Sequence, residues 1–263
     1  MAPTNILNWL GSISFDVAFI LVLLPIIVFA ILGTLIVRAL FAGRLTEASA
    51  VGPTKNQVSA QIYAVVLGFI LVYGFSEFND AKQNVQKEAA TLGRLMAQAH
   101  LAGEEAGQSI IAAARGYSET VAVKEWPLMA HGGESAEALS WLRKLDSSVL
   151  TAGGASEGAL IKMRLSTMLD EVITRRVDRI SAAPDPALAD IIFDLLLVGA
   201  LLAITTGWFL RGPSVFVHLI LVTMISSSVI TMMVLSAQLL YPFSGPVSIS
   251  PEPFLSLAKA REG

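Results

Sequence analysis

The chain has 263 residues, 54% of them hydrophobic and 15% charged, and a formal net charge of −3. With a mean hydropathy of +0.65 it is too apolar for an ordinary soluble domain, and no basic excess marks it for nucleic acid. It has no Cys, which removes disulfides, thiolate metal sites and cysteine nucleophiles together.

In chain order, the first 14 residues carry no charged side chain, and an uncharged run from Val17 to Val37 follows Asp16. A cleavable signal peptide needs a basic start and a shorter apolar stretch, so residues 16–37 are expected to be a retained transmembrane helix, kinked at Pro25. A short loop with Arg38, Arg44 and Lys55 leads to a second span over about 60–78, and residues 1–78 read as one hairpin. From Gln61 to about Leu101 neither Pro nor a turn cluster interrupts the pattern. One helix is therefore expected to leave the membrane and continue in water, roughly 60 Å long against a ~30 Å hydrocarbon core.

Residues 79–186 are the hydrophilic block. Apolar residues recur there at helical spacing, as in Val85, Ala89, Leu92 and Met96 or Leu165, Leu169, Ile173 and Val177. Breaks are expected at Gly103, at His131-Gly132-Gly133 and at Gly153-Gly154, with Ser135 opening a helix and Pro184-Asp185-Pro186 closing the last one. The block reads as an aqueous helical bundle.

A second hairpin spans 187–240, with helices at about 187–210 and 215–240 joined by Arg211-Gly212-Pro213. Residues 241–263 read as an extended, Pro-rich segment, because Pro242, Pro246, Pro251 and Pro253 oppose a helix and Val247 and Ile249 alternate with serines. Phe243 and Phe254 would anchor it to the rest of the chain. The fold class is thus an all-α integral membrane protein: two transmembrane hairpins flanking one aqueous bundle, with a long second helix. Four crossings put the termini and the bundle on one side. Arg38, Arg44 and Arg211 in the short loops favour an extracytoplasmic bundle, against Lys82, Lys87 and the 175–179 arginines on the other side.

Two acidic residues, Asp190 and Asp194, stand one turn apart on the third membrane helix. They read either as a cation-attracting ring at a pore mouth or as an interfacial cap and a paired carboxylate. On the fourth, Thr223, Ser227 and Thr231 share a face that suits a wet pathway or a helix contact. Gly199, Ala203 and Gly207 form a small-residue packing face. In the bundle, Glu77, Asn84 and Glu88 share one face of the long helix, opposite Arg175, Arg176 and Arg179 on the returning helix. They make either a charged vestibule or a structural ion-pair network, with Glu171 and Arg175 as a local pair. His100, His131 and His218 are scattered, and no metal-ligand spacing, Walker loop or dinucleotide fingerprint occurs. No cofactor, no metal and no enzymatic activity are expected.

The stretches YAVVLGF, SEFNDAKQNVQKEAATL, GYSETVAVKEWPLMAHG and PFSGPVSISPEPF, spread over residues 15–254, resemble the bacterial bestrophin-like domain family, a family without an assigned function. The most specific parts are Glu125-Trp126 and the terminal segment with Pro242, Phe243, Ser244, Gly245, Pro251 and Phe254. The family is named for a likeness to bestrophins, oligomeric anion channels with two membrane hairpins around a helical domain. The resemblance implies a channel-like, homo-oligomeric protein of the bacterial inner membrane, with inorganic ions and the lipid bilayer as partners, and it would place the bundle in the cytoplasm. The other class open is a non-conducting sensor, adaptor or assembly factor whose residues 79–186 bind a partner protein.

Overall fold

The structure is a computed structural model that describes residues 15–41, 52–152, 155–183, 186–209, 214–245 and 247–260. The N-terminal stretch before Phe15, Arg44, Gly153-Gly154, Pro184-Asp185, Arg211-Gly212-Pro213 and Pro246 lie outside the described residues, as do the side chains of Lys55 and Asp190. The described elements are α1 (Phe15–Leu40), α2 (Gly52–Gln98), a 3-10 turn (Ala99–Ala102), α3 (Glu104–Thr120), a π-helical turn (Val121–Glu125), α4 (Trp126–Met129), α5 (Ala136–Thr151), α6 (Ala155–Ser181), α7 (Pro186–Gly207), α8 (Val215–Leu239) and α9 (Glu252–Lys259). No strand occurs among the described residues. The protein is an all-α membrane protein.

It divides into two compact units. One comprises Met1–Ser76, Ala187–Leu240 and Gly245–Val247; the other comprises Glu77–Pro186, Tyr241–Ser244 and Ser248–Gly263. The 47 residues of α2 belong to both and make a helix roughly 70 Å long. It begins at Gly52, ahead of the expected start near Ala60. Pro53 explains the difference, since a proline in the first turn loses no hydrogen bond and has its φ preset for a helix.

Three described helices are long and apolar enough to cross a membrane: Ile20–Leu40, Ala60–Ala102 and Val215–Leu239. The apolar part of α7, Ile191–Gly207, is shorter. Ala30 of α1, Ile204 of α7 and Val222 of α8 form a small buried layer, with Ile26 against it. The ring of Trp208 lies on Gly33, where a Cβ atom would come within 2.2 Å of it, and Phe29 meets that ring edge-on at 4.9 Å. Tyr63 of α2 donates to the Leu196 carbonyl at 3.1 Å. Leu24, Leu32, Phe69, Val72 and Phe216 point outward, as apolar side chains do where lipid replaces water.

The second unit has one core, built from Val85, Leu92 and Leu95 of α2, Ile110 and Tyr117 of α3, Leu142 and Leu145 of α5, and Leu165 and Leu169 of α6. Gly103, at φ +93°, breaks the chain before α3 as expected. Ser135 caps α5 by accepting from the Ala138 N–H at 3.3 Å.

The terminal segment differs from the extended strip expected of it. Tyr241 to Ser244 close a turn, with the Ser244 N–H donating to the Tyr241 carbonyl at 3.2 Å. Gly245 follows at φ +80°, and α9 then forms over Glu252–Lys259. The prolines permit this helix because Pro251 precedes it and Pro253 sits in its first turn, where no intrahelical N–H is required. Nor do Val247 and Ile249 share one side, since Ile249 is buried and Val247 exposed.

Candidate functional site

A buried ionic cluster occupies the middle of the helical unit. Arg179 of α6 is completely enclosed. Its Nε donates to Glu88 Oε2 at 2.7 Å and its Nη2 to Glu88 Oε1 at 3.2 Å and to Glu125 Oε1 at 2.8 Å. Nη1 faces the Met129 sulfur at 2.7 Å. Glu88 also accepts the Tyr117 hydroxyl. Glu125 Oε2 accepts from Arg176 Nη2 at 2.7 Å and from the Ser135 N–H at 3.1 Å. Two carboxylates and two guanidinium groups thus cancel in charge while most of their hydrogen-bonding positions are filled, which is the condition under which ions tolerate burial. Trp126 and Phe254 cover the cation, with ring centroids 5.7 and 5.4 Å from the guanidinium carbon.

The backbone explains how Glu125 gets there. α3 would carry on as a regular helix, but Pro127 has no N–H to give the carbonyl four residues back. The chain widens into the π turn, an extra residue in phase that turns both Glu125 and Trp126 inward. Trp126 then donates its indole N–H to the Ile249 carbonyl at 3.1 Å, and Phe243 and Phe254 pack against its ring. Pro242 is buried beside them in the chain, while Ser244, Gly245 and Pro251 shape the turns on either side.

Electrostatics follow from burial. Desolvation first, and the Glu88 carboxylate second, push the Tyr117 hydroxyl well above its ordinary value, so it stays a donor. Desolvation works to lower Arg179, but the charges of Glu88 and its neighbours outweigh it and hold the guanidinium protonated.

Of the residues singled out in the bundle, the cluster unites Glu88, Arg176 and Arg179 and leaves Glu77, Asn84, Glu171 and Arg175 outside. Glu77 is exposed. Arg175 turns to Asn84 and Asp178, each at 3.4 Å. The expected Glu171–Arg175 pair gives way to Glu171–Arg94 at 3.7 Å, since one turn of helix does not decide which neighbour a long side chain selects. Glu125, noted only as part of a motif, is the second anion.

In the membrane unit, Asp194 is exposed on α7. Thr223, Ser227 and Thr231 are half-buried on the flank of α8, and Thr231 donates to the Ser227 carbonyl at 2.7 Å. The face of α8 that is buried runs instead through His218, Val222, Ser226 and Ile230. Of the small residues on α7, Gly199 lies against the Tyr63 ring, where a Cβ would come within 2.5 Å, whereas Gly207 has open space. Among the described residues no group of three His, Asp or Glu side chains is placed to hold a metal ion.

The sequence matches the family model of the Bestrophin-like domain over residues 24–254. The chain belongs to the Bestrophin-like family. The fold of this bestrophin-like protein is similar to that in the crystal structure of a membrane protein, with a TM-score of 0.72 at 16% identity, covering 91% of this chain and 99% of that one. A comparison with curated protein sequences finds no match. At that identity the likeness carries the fold alone.

Proposed function

We propose that this bestrophin-like protein is a homo-oligomeric ion channel of the bacterial inner membrane, with a pathway lined by α7 and α8. The observation that carries the reading is the exposed carboxylate of Asp194 within the apolar part of α7. Acidic side chains at such positions face water or protein rather than lipid, and several copies arranged around a wet axis provide both. The half-buried hydroxyls of Thr223 and Ser227 on α8 would supply oxygen contacts along the same axis. Arg38, with no Lys or Arg ahead of α1, favours a cytoplasmic short loop and so an extracytoplasmic helical unit.

The test is ion flux from vesicles holding the purified oligomer, with chloride and potassium gradients applied separately and Asp194→Asn in parallel. Protein-dependent flux whose selectivity changes in Asp194→Asn is the expected result. A folded oligomer that passes neither ion across voltage and pH would overturn conduction.

A second reading, a non-conducting adaptor or sensor whose helical unit binds a partner, is favoured by one observation. Ser228, Thr231 and Ser236 all donate to carbonyls of their own helix at 2.7 to 2.9 Å, which leaves them no proton to offer an anion.

A further inference from the structure

At the loop end of the membrane unit, two buried ring nitrogens, Trp208 Nε1 and His218 Nε2, have no hydrogen-bond partner, and the part-exposed Arg38 lies on the same end of α1. The layer of Ala30, Ile204 and Val222 ties α1, α7 and α8 together. One helical turn nearer the loops, the same three strands of chain bring Gly33 and Thr34, Trp208 and His218. One contact bears out this stacking, the Trp208 ring lying directly on Gly33, and Arg38 stands close enough to His218 for its charge to be felt there.

His218 is only 4% exposed, and its Nε2 has no hydrogen-bond partner; the Trp208 indole Nε1 is likewise sealed from solvent and unpartnered. Thr34 donates its hydroxyl to the Ala30 carbonyl at 2.7 Å and accepts from neither ring nitrogen. An indole N–H and a guanidinium can only donate, and imidazole Nε2 donates in one of its neutral tautomers. No Asp or Glu occurs in residues 30–41, 204–209 or 214–226. Leaving buried donors unmet is unfavourable, so a ligand that accepts from them is the expected occupant.

We infer that Arg38, Trp208 and His218 form a binding site for a compact anion, either a free inorganic ion or the phosphate of an anionic lipid. The chemistry is the same in both: a negative acceptor that satisfies three donors from different helices and thereby holds the loop end of the unit together. The inference does not depend on conduction, and its test reads binding.

The full chain would be placed in phosphatidylcholine nanodiscs and its thermal unfolding followed by circular dichroism. Chloride, nitrate and phosphate would be titrated against gluconate at constant ionic strength, and a parallel series would contain phosphatidylglycerol. A saturable rise in Tm with at least one of these probes is expected. Trp208→Phe, which keeps the ring on Gly33 but deletes the N–H, and Arg38→Gln should each raise the half-saturating concentration roughly tenfold or more. Both must elute as the parent does and unfold at a similar temperature in gluconate, and Ser228→Ala should respond like the parent. If only phosphatidylglycerol acts, and does so through the same two residues, the occupant is a lipid phosphate. No response to any probe, or folded variants that respond like the parent, would overturn the inference.

Discussion

Arg179 holds both oxygens of Glu88 through Nε and Nη2, at 2.7 and 3.2 Å, across 91 residues of sequence and with neither side chain open to solvent. This bidentate contact fastens α6 to α2 at the centre of the helical unit. Breaking it from one side leaves the other ion buried alone, so Arg179→Met should cost about 3–5 kcal/mol. Denaturant unfolding of the detergent-solubilised protein would measure it. The double change Arg179→Met with Glu88→Gln should recover part of the loss; a double variant no better than the single one would contradict the coupling.

The Tyr117 hydroxyl adds a pH dependence of definite sign. Its folded-state value lies well above the ordinary 10, so above that pH the folded chain keeps a proton that the unfolded chain releases. The stability it contributes is complete below about pH 10 and declines as pH rises towards the folded-state value. Unfolding measured between about pH 9 and 11 should show this fall. Tyr117→Phe should flatten the Tyr117 contribution to that slope and cost about 1–3 kcal/mol at neutral pH, through the lost bond to Glu88.

Phe254 is wholly buried and packs on Trp126 and over Arg179. Phe254→Ala should destabilise the helical unit by about 3–5 kcal/mol and open the segment after Tyr241 to proteolysis. Trp126→Phe, which deletes the bond to the Ile249 carbonyl, should cost about 1 kcal/mol. Val247, 39% exposed, is the control: Val247→Ala should leave hydrogen exchange around Ile249 unchanged. Equal protection in all three variants would mean that the aromatic contacts do not hold the segment.

Gly199 and Gly207 lie on one face of α7 but meet different surroundings. Gly199→Val would drive a methyl into the Tyr63 ring, and overpacking of this kind costs about 1–3 kcal/mol. Gly207→Val meets nothing within 4 Å in a single copy, so subunit stability should hold. If this end of α7 contacts a second copy, the oligomer mass measured by light scattering should fall. Unchanged mass would place the oligomer contact elsewhere.

The sequence by itself determined the elements whose signal is local. Long uncharged runs mark α1 and α8, helical periodicity marks α5 and α6, and Ser135 with Gly103 marks helix ends. Each signal needs only a few neighbouring residues, and the opposition of Glu88 to Arg176 and Arg179 was legible because both helices display their charges on one face. Packing decided the rest. Glu125 became the second anion only through the π turn, which leaves no glycine behind it, though Pro127 is a trace of its cause. Tyr117 packs its ring in the core, and only the fold shows where its hydroxyl points. α9 formed in spite of four prolines, because two lie ahead of the helix boundary region and the other two fall at its start. In α8 nearly every side chain is apolar or small, so the helix has no intrinsic inside. The choice between the Thr223 row and the His218 row was made by the neighbouring helices, through Ala30 and Ile204 closing on Val222.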